Sequence, residues 1–409
     1  MKFASLTDRL KTADDAEGDP WEVHHKASML ADNGEDVIFL SIGQESDEVT
    51  PSIIVDAAVN SLQQGDHHYT QASGDPSLRS SIANYHNKLT AQTITAENCI
   101  VFSGAQNALY SIAQVLLEPG DEVIVSEPYY TTYASTFSSS GATLINVALR
   151  KEHDYQLYVD DIAAAITSNT RAIVLNSPNN PMGSLYTKDD FAAVVALCIK
   201  HHIWLILDSV YLDIVDVPTD SLPHTIKGAA DVLITVGSLS KSHRMTGWRI
   251  GWAVAPIEVI VHLANLSMCM HYGLPPFIMK AAQVAVDQSM ATPRLVRDTL
   301  ARRRALAVPI LSDMQTAKLQ DSGQGMFMLI DVSPLGLTAH QFAMQLLIDH
   351  NVAVLPCDGF GKAGKYLVRV GLCVDDAKLE KACEKIVDCI ATLAQKRAQP
   401  VISIQPKKW

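Results

Sequence analysis

Between residues 99 and 241, unbroken apolar runs of strand length alternate with stretches whose apolar positions recur at helical spacing. CIVFS (99–103), VIVSEP (123–128), RAIVLNSP (171–178), IWLILDS (203–209) and DVLITVGSLSK (231–241) are the strand-like runs. None of them alternates apolar with polar positions, as expected of strands buried on both faces. AQNALYSIAQVLL (105–117) instead sets Ala108, Ile112, Val115 and Leu116 on one helical face. EPGDE (118–122) is a turn, and KDDFAAVVALCIKHH (188–202) reads as another helix. Continuous strands alternating with helices predict an α/β protein: a mostly parallel sheet covered by helices on both faces.

From about residue 293 the texture changes. A long helix to about 314 is followed by GMFMLIDVS (325–333), a helix around AHQFAMQLLIDH (339–350), VAVLP (352–356), YLVRVGLC (366–373) and a terminal helix over 376–396. This predicts a smaller α+β domain over 293–409, after a large domain over 51–292. Residues 1–50 contain the strand-like DVIFLSIG (36–43) and are expected to pack beside the small domain, while PVISIQPKKW (400–409) reads as a tail.

Composition narrows the class. The chain has 409 residues, 48% hydrophobic and 19% charged, with a net charge of −12. That is enough apolar material for a large core, and an acidic balance that argues against non-specific nucleic-acid binding. The longest basic cluster, Arg302, Arg303 and Arg304, reads as a solvated helix face. Seven scattered cysteines without a C-x-x-C pair predict reduced thiols rather than disulfides or structural zinc. The first residues lack the apolar core of a signal peptide, and no apolar run nears the ~20 residues a membrane helix needs. A soluble, cytoplasmic protein is expected. The pairs His24-His25, His67-His68 and His201-His202 suggest no metal site, because adjacent side chains do not face one ion.

Candidate chemistry falls at strand ends, where open α/β sheets bind ligands. In FSGAQNAL a strand stops before Gly104, and the free N–H groups of Ala105 and Gln106 at the next helix start suit an anion. Taken alone, that motif is better explained as an ordinary strand-helix turn. In NSPNNPMGSLYT a rigid turn fixes the amide of Asn180 at the sheet edge. In LILDSVYLD a carboxylate, Asp208, ends a very apolar strand, with Tyr211 three residues on; it either caps a helix or pairs with a cation. In TVGSLSKSHRMTGWRIGW (235–252), Lys241 sits among Ser238, Ser240 and Ser242, with Arg249 eight residues on. A lysine forming an imine beside a phosphate-bearing aldehyde explains that company; a solvent-exposed lysine does not need it.

Together, in this order and spacing, these segments resemble the class I/II aminotransferases of the pyridoxal-phosphate fold type I superfamily, from LSIGQ (40–44) to YLVRVG (366–371). The resemblance implies a seven-stranded-type sheet, pyridoxal 5′-phosphate as cofactor, and transfer of an α-amino group from an L-amino acid to a 2-oxo acid in a ping-pong sequence. It implies that Lys241 is the imine lysine and proton carrier, and that Arg249, Ser238 and the turn at Gly104, Ala105 and Gln106 hold the phosphate, with Ser240 a further candidate. Asp208 is then the partner of the pyridine nitrogen, and Tyr211 and Asn180 donate to the phenolic oxygen. Tyr130 stacks on the ring, with Tyr129 the alternative. Tyr69 reaches the phosphate of a neighbouring subunit, implying a homodimer with shared sites. Arg369 clamps the substrate α-carboxylate, against which Gly43 lies. Two departures stand out: the loop 44–50 lacks the Pro and Phe usual after that glycine, and Cys357 stands where glycine is common.

Within the family the likeness is strongest toward transaminases of arginine and pyruvate, on SLSKSH.MTGWR.GW, GAQ.ALY, NSP.NP.G and the early Trp21-Glu22-Val23-His24. Glu45, Asp47 and Glu48 of the unusual loop are then candidates for an acidic pocket around a basic side chain, or simply a solvated acidic loop. A pyridoxal-phosphate lyase or cyclising enzyme on the same scaffold, or a transaminase of neutral, aromatic or acidic amino acids, is the alternative reading.

Overall fold

The structure is a computed structural model, described here for residues 3–10, 21–46, 48–90, 92–150, 155–217, 221–288 and 290–398. Its centre is a seven-stranded sheet, ordered in space β2-β8-β7-β6-β5-β3-β4. The strands are β2 (Cys99–Phe102), β3 (Glu122–Glu127), β4 (Thr143–Ala148), β5 (Thr170–Asn176), β6 (Trp204–Asp208), β7 (Leu233–Ser238) and β8 (Gly251–Val254). From β7 across to β4 every pairing is parallel, while β8 runs against both of its neighbours. β2, β7 and β8 are buried along their whole length, and β6 from Leu205 onward, as unbroken apolar runs such as CIVFS and IWLILDS imply.

This direction rule positions the functional groups. The carboxyl ends of β2, β3, β5, β6 and β7 lie along one edge of the sheet. β8 enters from that edge, with Gly251 opposite both Phe102 and Ser238. Residues just after the parallel strands and just before β8 are therefore neighbours in space. Helices Ala105–Leu116 and Ile257–Met270 pack with the strands into one apolar layer that includes Ile112, Ile206 and Leu263. Helix Lys188–His201 covers the other face through Phe191, Val194 and Val195. It starts where Thr187 and Asp190 cap each other's main-chain N–H groups, and it ends where His202 turns left-handed.

A second, antiparallel sheet of four strands is ordered β12-β13-β10-β9, from Leu355–Pro356, Leu367–Gly371, Phe327–Asp331 and Lys318–Gln320. The long helix Ala291–Ser312 and the terminal helix Asp376–Ala398 pack over it around Leu300, Ile330 and Ile386. The segment DVIFLSIG contributes a short strand, β1 (Ile38–Phe39), paired in parallel with β11 (Val352–Ala353). The tail at 400–409 lies outside the described residues. Among the described residues no helix is long and apolar enough to cross a membrane.

The arginine cluster departs from the sequence expectation. Only Arg302 is exposed; Arg303 and Arg304 are buried, at 3% and 6% exposure. Arg303 donates to Glu45 Oε2 at 2.8 Å and to the Leu372 carbonyl at 3.0 Å. Arg304 pairs with Asp321 and donates to the Gln324 and Gly325 carbonyls. Both guanidiniums are buried because carboxylates and loop carbonyls distant in sequence meet their donors, and helical periodicity carries no trace of those partners.

Candidate active site

One cavity of about 440 Å³ opens at the carboxyl edge of the large sheet, where the smaller sheet faces it. It gathers Gly43, Ala105, Gln106, Tyr130, Asn180, Asp208, Tyr211, Ser238, Lys241, Arg249 and Arg369. Ser240 also borders it, whereas Tyr129 is buried away from it. Gly104 sits one residue behind the wall. Tyr69 lies elsewhere, 87% exposed, with its ring edge-on to Tyr272 at 5.1 Å.

At one end the groups suit an anion. Gly104 has φ +87°, and a Cβ there would stand 2.4 Å from the Arg249 guanidinium, so glycine lets the arginine close over the helix start. The first N–H groups of helix Ala105–Leu116 lack intrahelical partners and point outward. Gln106 does not turn away freely: its amide is held between Thr132 and Thr136, each at 2.7 Å. Arg249 adopts φ +53° and donates to the Thr246 carbonyl at 2.7 Å, leaving donors for a ligand. A left-handed non-glycine residue costs about 1–2 kcal/mol, and here that strain sits at the site. Ser238 Oγ lies within hydrogen-bond reach of Ser240 Oγ at 2.8 Å and accepts the Ser240 N–H at 3.0 Å.

In the middle stand a carboxylate and an amine. Asp208 is 5% exposed; burial raises its pKa, opposed by a hydrogen bond from the Tyr133 hydroxyl to Oδ2 at 2.6 Å, the Val210 N–H and the charge of Lys241. Burial lowers the Lys241 pKa to about 8, helped by Arg369 and Arg249 and opposed by Asp208. Its Nζ donates to the Gly43 carbonyl at 2.7 Å. Such an amine is partly unprotonated near neutral pH and is a nucleophile in waiting.

At the far end Arg369, 3% exposed in the middle of β13, donates to Asn180 Oδ1 at 2.9 Å and to the Ser41 carbonyl at 2.8 Å. Its guanidinium lies 3.9 Å from the Phe327 ring centroid, and Nε has no partner among the described residues. The Asn180 amide donates to the Tyr211 hydroxyl at 3.2 Å, so Arg369, Asn180 and Tyr211 form one chain across the two sheets. Burial drives the Tyr211 phenol up and the Arg369 guanidinium down, each moderated by the other.

Among its described residues the unusual loop does not line the cavity with free acid. Gln44 borders it, but Glu45 turns inward to Arg303, and Glu48 pairs with Arg244 at 3.1 Å. Asp47 lies outside the described residues. Sequence reasoning gave no role to Tyr133, Trp21 or Phe327, although Tyr133 bonds Asp208 and the other two border the cavity. Tyr133 stands three residues beyond Tyr130, and its N–H donates to the Tyr130 carbonyl at 2.8 Å, so one tight turn leading into helix Tyr133–Ser138 presents both to the same region; that spacing was the available signal.

Comparison with known proteins follows the same lines. The model of the family described as aminotransferase class I and II matches residues 35–386. The arginine–pyruvate transaminase AruH of Pseudomonas aeruginosa is 39% identical over 393 residues, covering 96% of this chain and 99% of that protein. The aspartate aminotransferase of Pyrococcus horikoshii is 31% identical, covering 89% and 92%. Among solved structures, the Thermus thermophilus aspartate aminotransferase with maleate superposes with a TM-score of 0.88 at 29% identity, covering 95% of this chain and 100% of that one.

Proposed function

Because this chain belongs to the class I and II aminotransferases, whose cofactor is pyridoxal 5′-phosphate, we propose that the cavity at its sheet edge moves the α-amino group of an L-amino acid, with arginine the leading donor, to a monocarboxylic 2-oxo acid such as pyruvate. The observation that carries this reading is the gathering of Lys241, Asp208 and Arg369 in one cavity.

The residues present fit the cofactor. Arg249, Ser238, Ser240 and the N–H groups of Ala105 and Gln106 form a donor set for a dianionic phosphate, in a cradle that a side chain at Gly104 would fill. Lys241 is the attachment point for the aldehyde, Asp208 the acceptor for the ring N–H, Tyr130 the stacking ring, and Tyr211 with Asn180 the donors to the phenolic oxygen. When bound, the cofactor supplies an electron-withdrawing ring that stabilises negative charge at the substrate Cα.

The chain's own groups do the rest. Arg369 grips the α-carboxylate through two planar N–H groups, and Asn180 fixes the plane of that guanidinium. Gly43 lies beside the carboxylate, where backbone alone leaves room. The Lys241 amine would take the proton from the donor's Cα and, in the second half of the exchange, give one to the acceptor's Cα. One cavity serves both acids, so the donor's 2-oxo product leaves before the acceptor enters, a ping-pong order.

Charge around the cavity supports the choice of acids. Among the described residues its lining cations are Lys241, Arg249 and Arg369, each already given a task, which leaves none of them for a second substrate carboxylate. Its lining carboxylate is Asp208, committed to the ring. A guanidinium side chain would therefore meet Trp21 and Gln44, which border the cavity, rather than a described free acid. The Glu45–Arg303 pair favours a second reading, in which neutral or aromatic donors are preferred.

The test is a panel of arginine, lysine, phenylalanine, leucine and aspartate, each followed with pyruvate and 2-oxoglutarate by loss and return of the lysine-bound cofactor absorbance. Cycling with arginine and pyruvate is the expected result. Reaction of neutral donors while arginine and lysine stay silent replaces the basic-donor reading. A donor that bleaches the absorbance with no acceptor able to restore it marks a lyase instead. The homodimer with shared sites belongs to the same proposal, supported by the exposure of Tyr69 outside its own chain's cavity.

A further inference from the structure

Asp208 is held from two sides. The Val210 N–H reaches Oδ1 at 3.2 Å, a long contact, whereas the Tyr133 hydroxyl reaches Oδ2 at 2.6 Å, within the range of charge-assisted bonds. Tyr133 opens the short helix Tyr133–Ser138 and is 2% exposed. Its ring stands edge-on between Tyr130, at 5.9 Å and 86°, and Phe137, at 5.8 Å and 77°. Those neighbours leave the phenol no room to swing away from the carboxylate.

We propose that Tyr133 is the positioning residue of Asp208: its hydroxyl keeps that carboxylate ionised and in one orientation for the ring nitrogen of pyridoxal phosphate. This rests on the reading of Asp208 as the partner of that nitrogen. The physical need is plain. Asp208 is sealed under a very apolar strand, and burial alone favours its neutral form. The titratable groups around it are Lys241 beyond β7, Tyr211 beyond β6, and Tyr130 and Tyr133 beyond β3. Of these, Lys241 opposes neutralisation by charge and Tyr133 by a direct bond. In catalysis Lys241 attaches to the cofactor and then carries a proton, so its charge varies during turnover. The Tyr133 bond is the contribution that stays constant. A donated O–H favours the ionised carboxyl, so losing it makes Asp208 protonate at higher pH and deprives the ring N–H of the carboxylate that accepts its hydrogen bond.

The experiment reads the ring nitrogen directly. Holoenzyme reconstituted with ¹⁵N-pyridoxal phosphate is compared as wild type, Tyr133→Phe, Asp208→Asn and Phe137→Leu by the ¹⁵N shift, with cofactor affinity and the kcat and KM pH profiles alongside. Tyr133→Phe is expected to move the shift from the wild-type value toward that of Asp208→Asn. It should lower kcat about ten- to hundred-fold with a smaller change in KM, as loss of a bond to a charged group implies. Its acid limb moves to higher pH, while Phe137→Leu, which loosens the packing but keeps the hydroxyl, holds the wild-type shift. A Tyr133→Phe enzyme with wild-type shift and acid limb overturns this inference alone. A Phe137→Leu shift as large as that of Tyr133→Phe overturns it too, by making packing the cause. Coincident shifts for wild type and Asp208→Asn remove the Asp208 reading and this inference with it.

Discussion

The Glu45 carboxylate accepts a hydrogen bond from the Arg303 guanidinium at 2.8 Å, with the two side chains only 10% and 4% exposed. Removing one member strands a buried charge. Arg303→Met is therefore expected to lower stability by about 3–5 kcal/mol, and adding Glu45→Leu should recover most of the loss. Denaturant melts of the two variants check this; equal stability of Arg303→Met and wild type would refute it.

Lys241 carries a pH signature in the cofactor-free protein. Its pKa falls to about 8 through burial, below the roughly 10.4 of an unfolded lysine. Between those values the unfolded chain binds more protons, so stability rises with pH across that window and the penalty is full below it. Lys241→Met is expected to be more stable than wild type at pH 7 by about 1–3 kcal/mol after discounting for screening, with the gap closing near pH 10. Thermal melts of both apoproteins against pH measure it.

Gly104→Ala tests the anion cradle. The new methyl would meet the Arg249 guanidinium at 2.4 Å from a left-handed backbone, so the arginine must withdraw. Pyridoxal phosphate affinity should fall at least about tenfold, from the lost phosphate contact plus backbone strain of ~1–2 kcal/mol. Fluorescence titration of the apoprotein with the cofactor gives the value; unchanged affinity would place the phosphate elsewhere.

Shared sites make a sharper claim. Tyr69→Ala and Lys241→Ala should each be impaired alone. Mixed after unfolding and refolding together, they should recover about a quarter of wild-type activity, since half of random dimers are hybrids with one complete site each. No recovery would mean that Tyr69 serves its own chain or none.

The α/β class and the parallel middle of the sheet were legible because strands covered on both faces must be apolar throughout. The strand-end residues were legible for a related reason: a carboxylate, an amide and a lysine directly after such runs stand out chemically. What was hidden depended on contacts distant in sequence. Arg303 and Arg304 read as a wet face because nothing near them announces Glu45 or Asp321. Glu45 read as a candidate pocket acid for the same reason. DVIFLSIG read as strand-like, and of its residues Ile38 and Phe39 pair with Val352 and Ala353.

The pairing of Ile38 with Val352 and of Phe39 with Ala353 joins places about three quarters of the chain apart. During synthesis the seven-stranded sheet is complete once Val254 has emerged. The early segment must wait for the ribosome to deliver its partner almost a hundred residues later. Until then Ser41, whose carbonyl receives Arg369, has nothing to hold, so the cleft cannot close before residue 369 has left the ribosome.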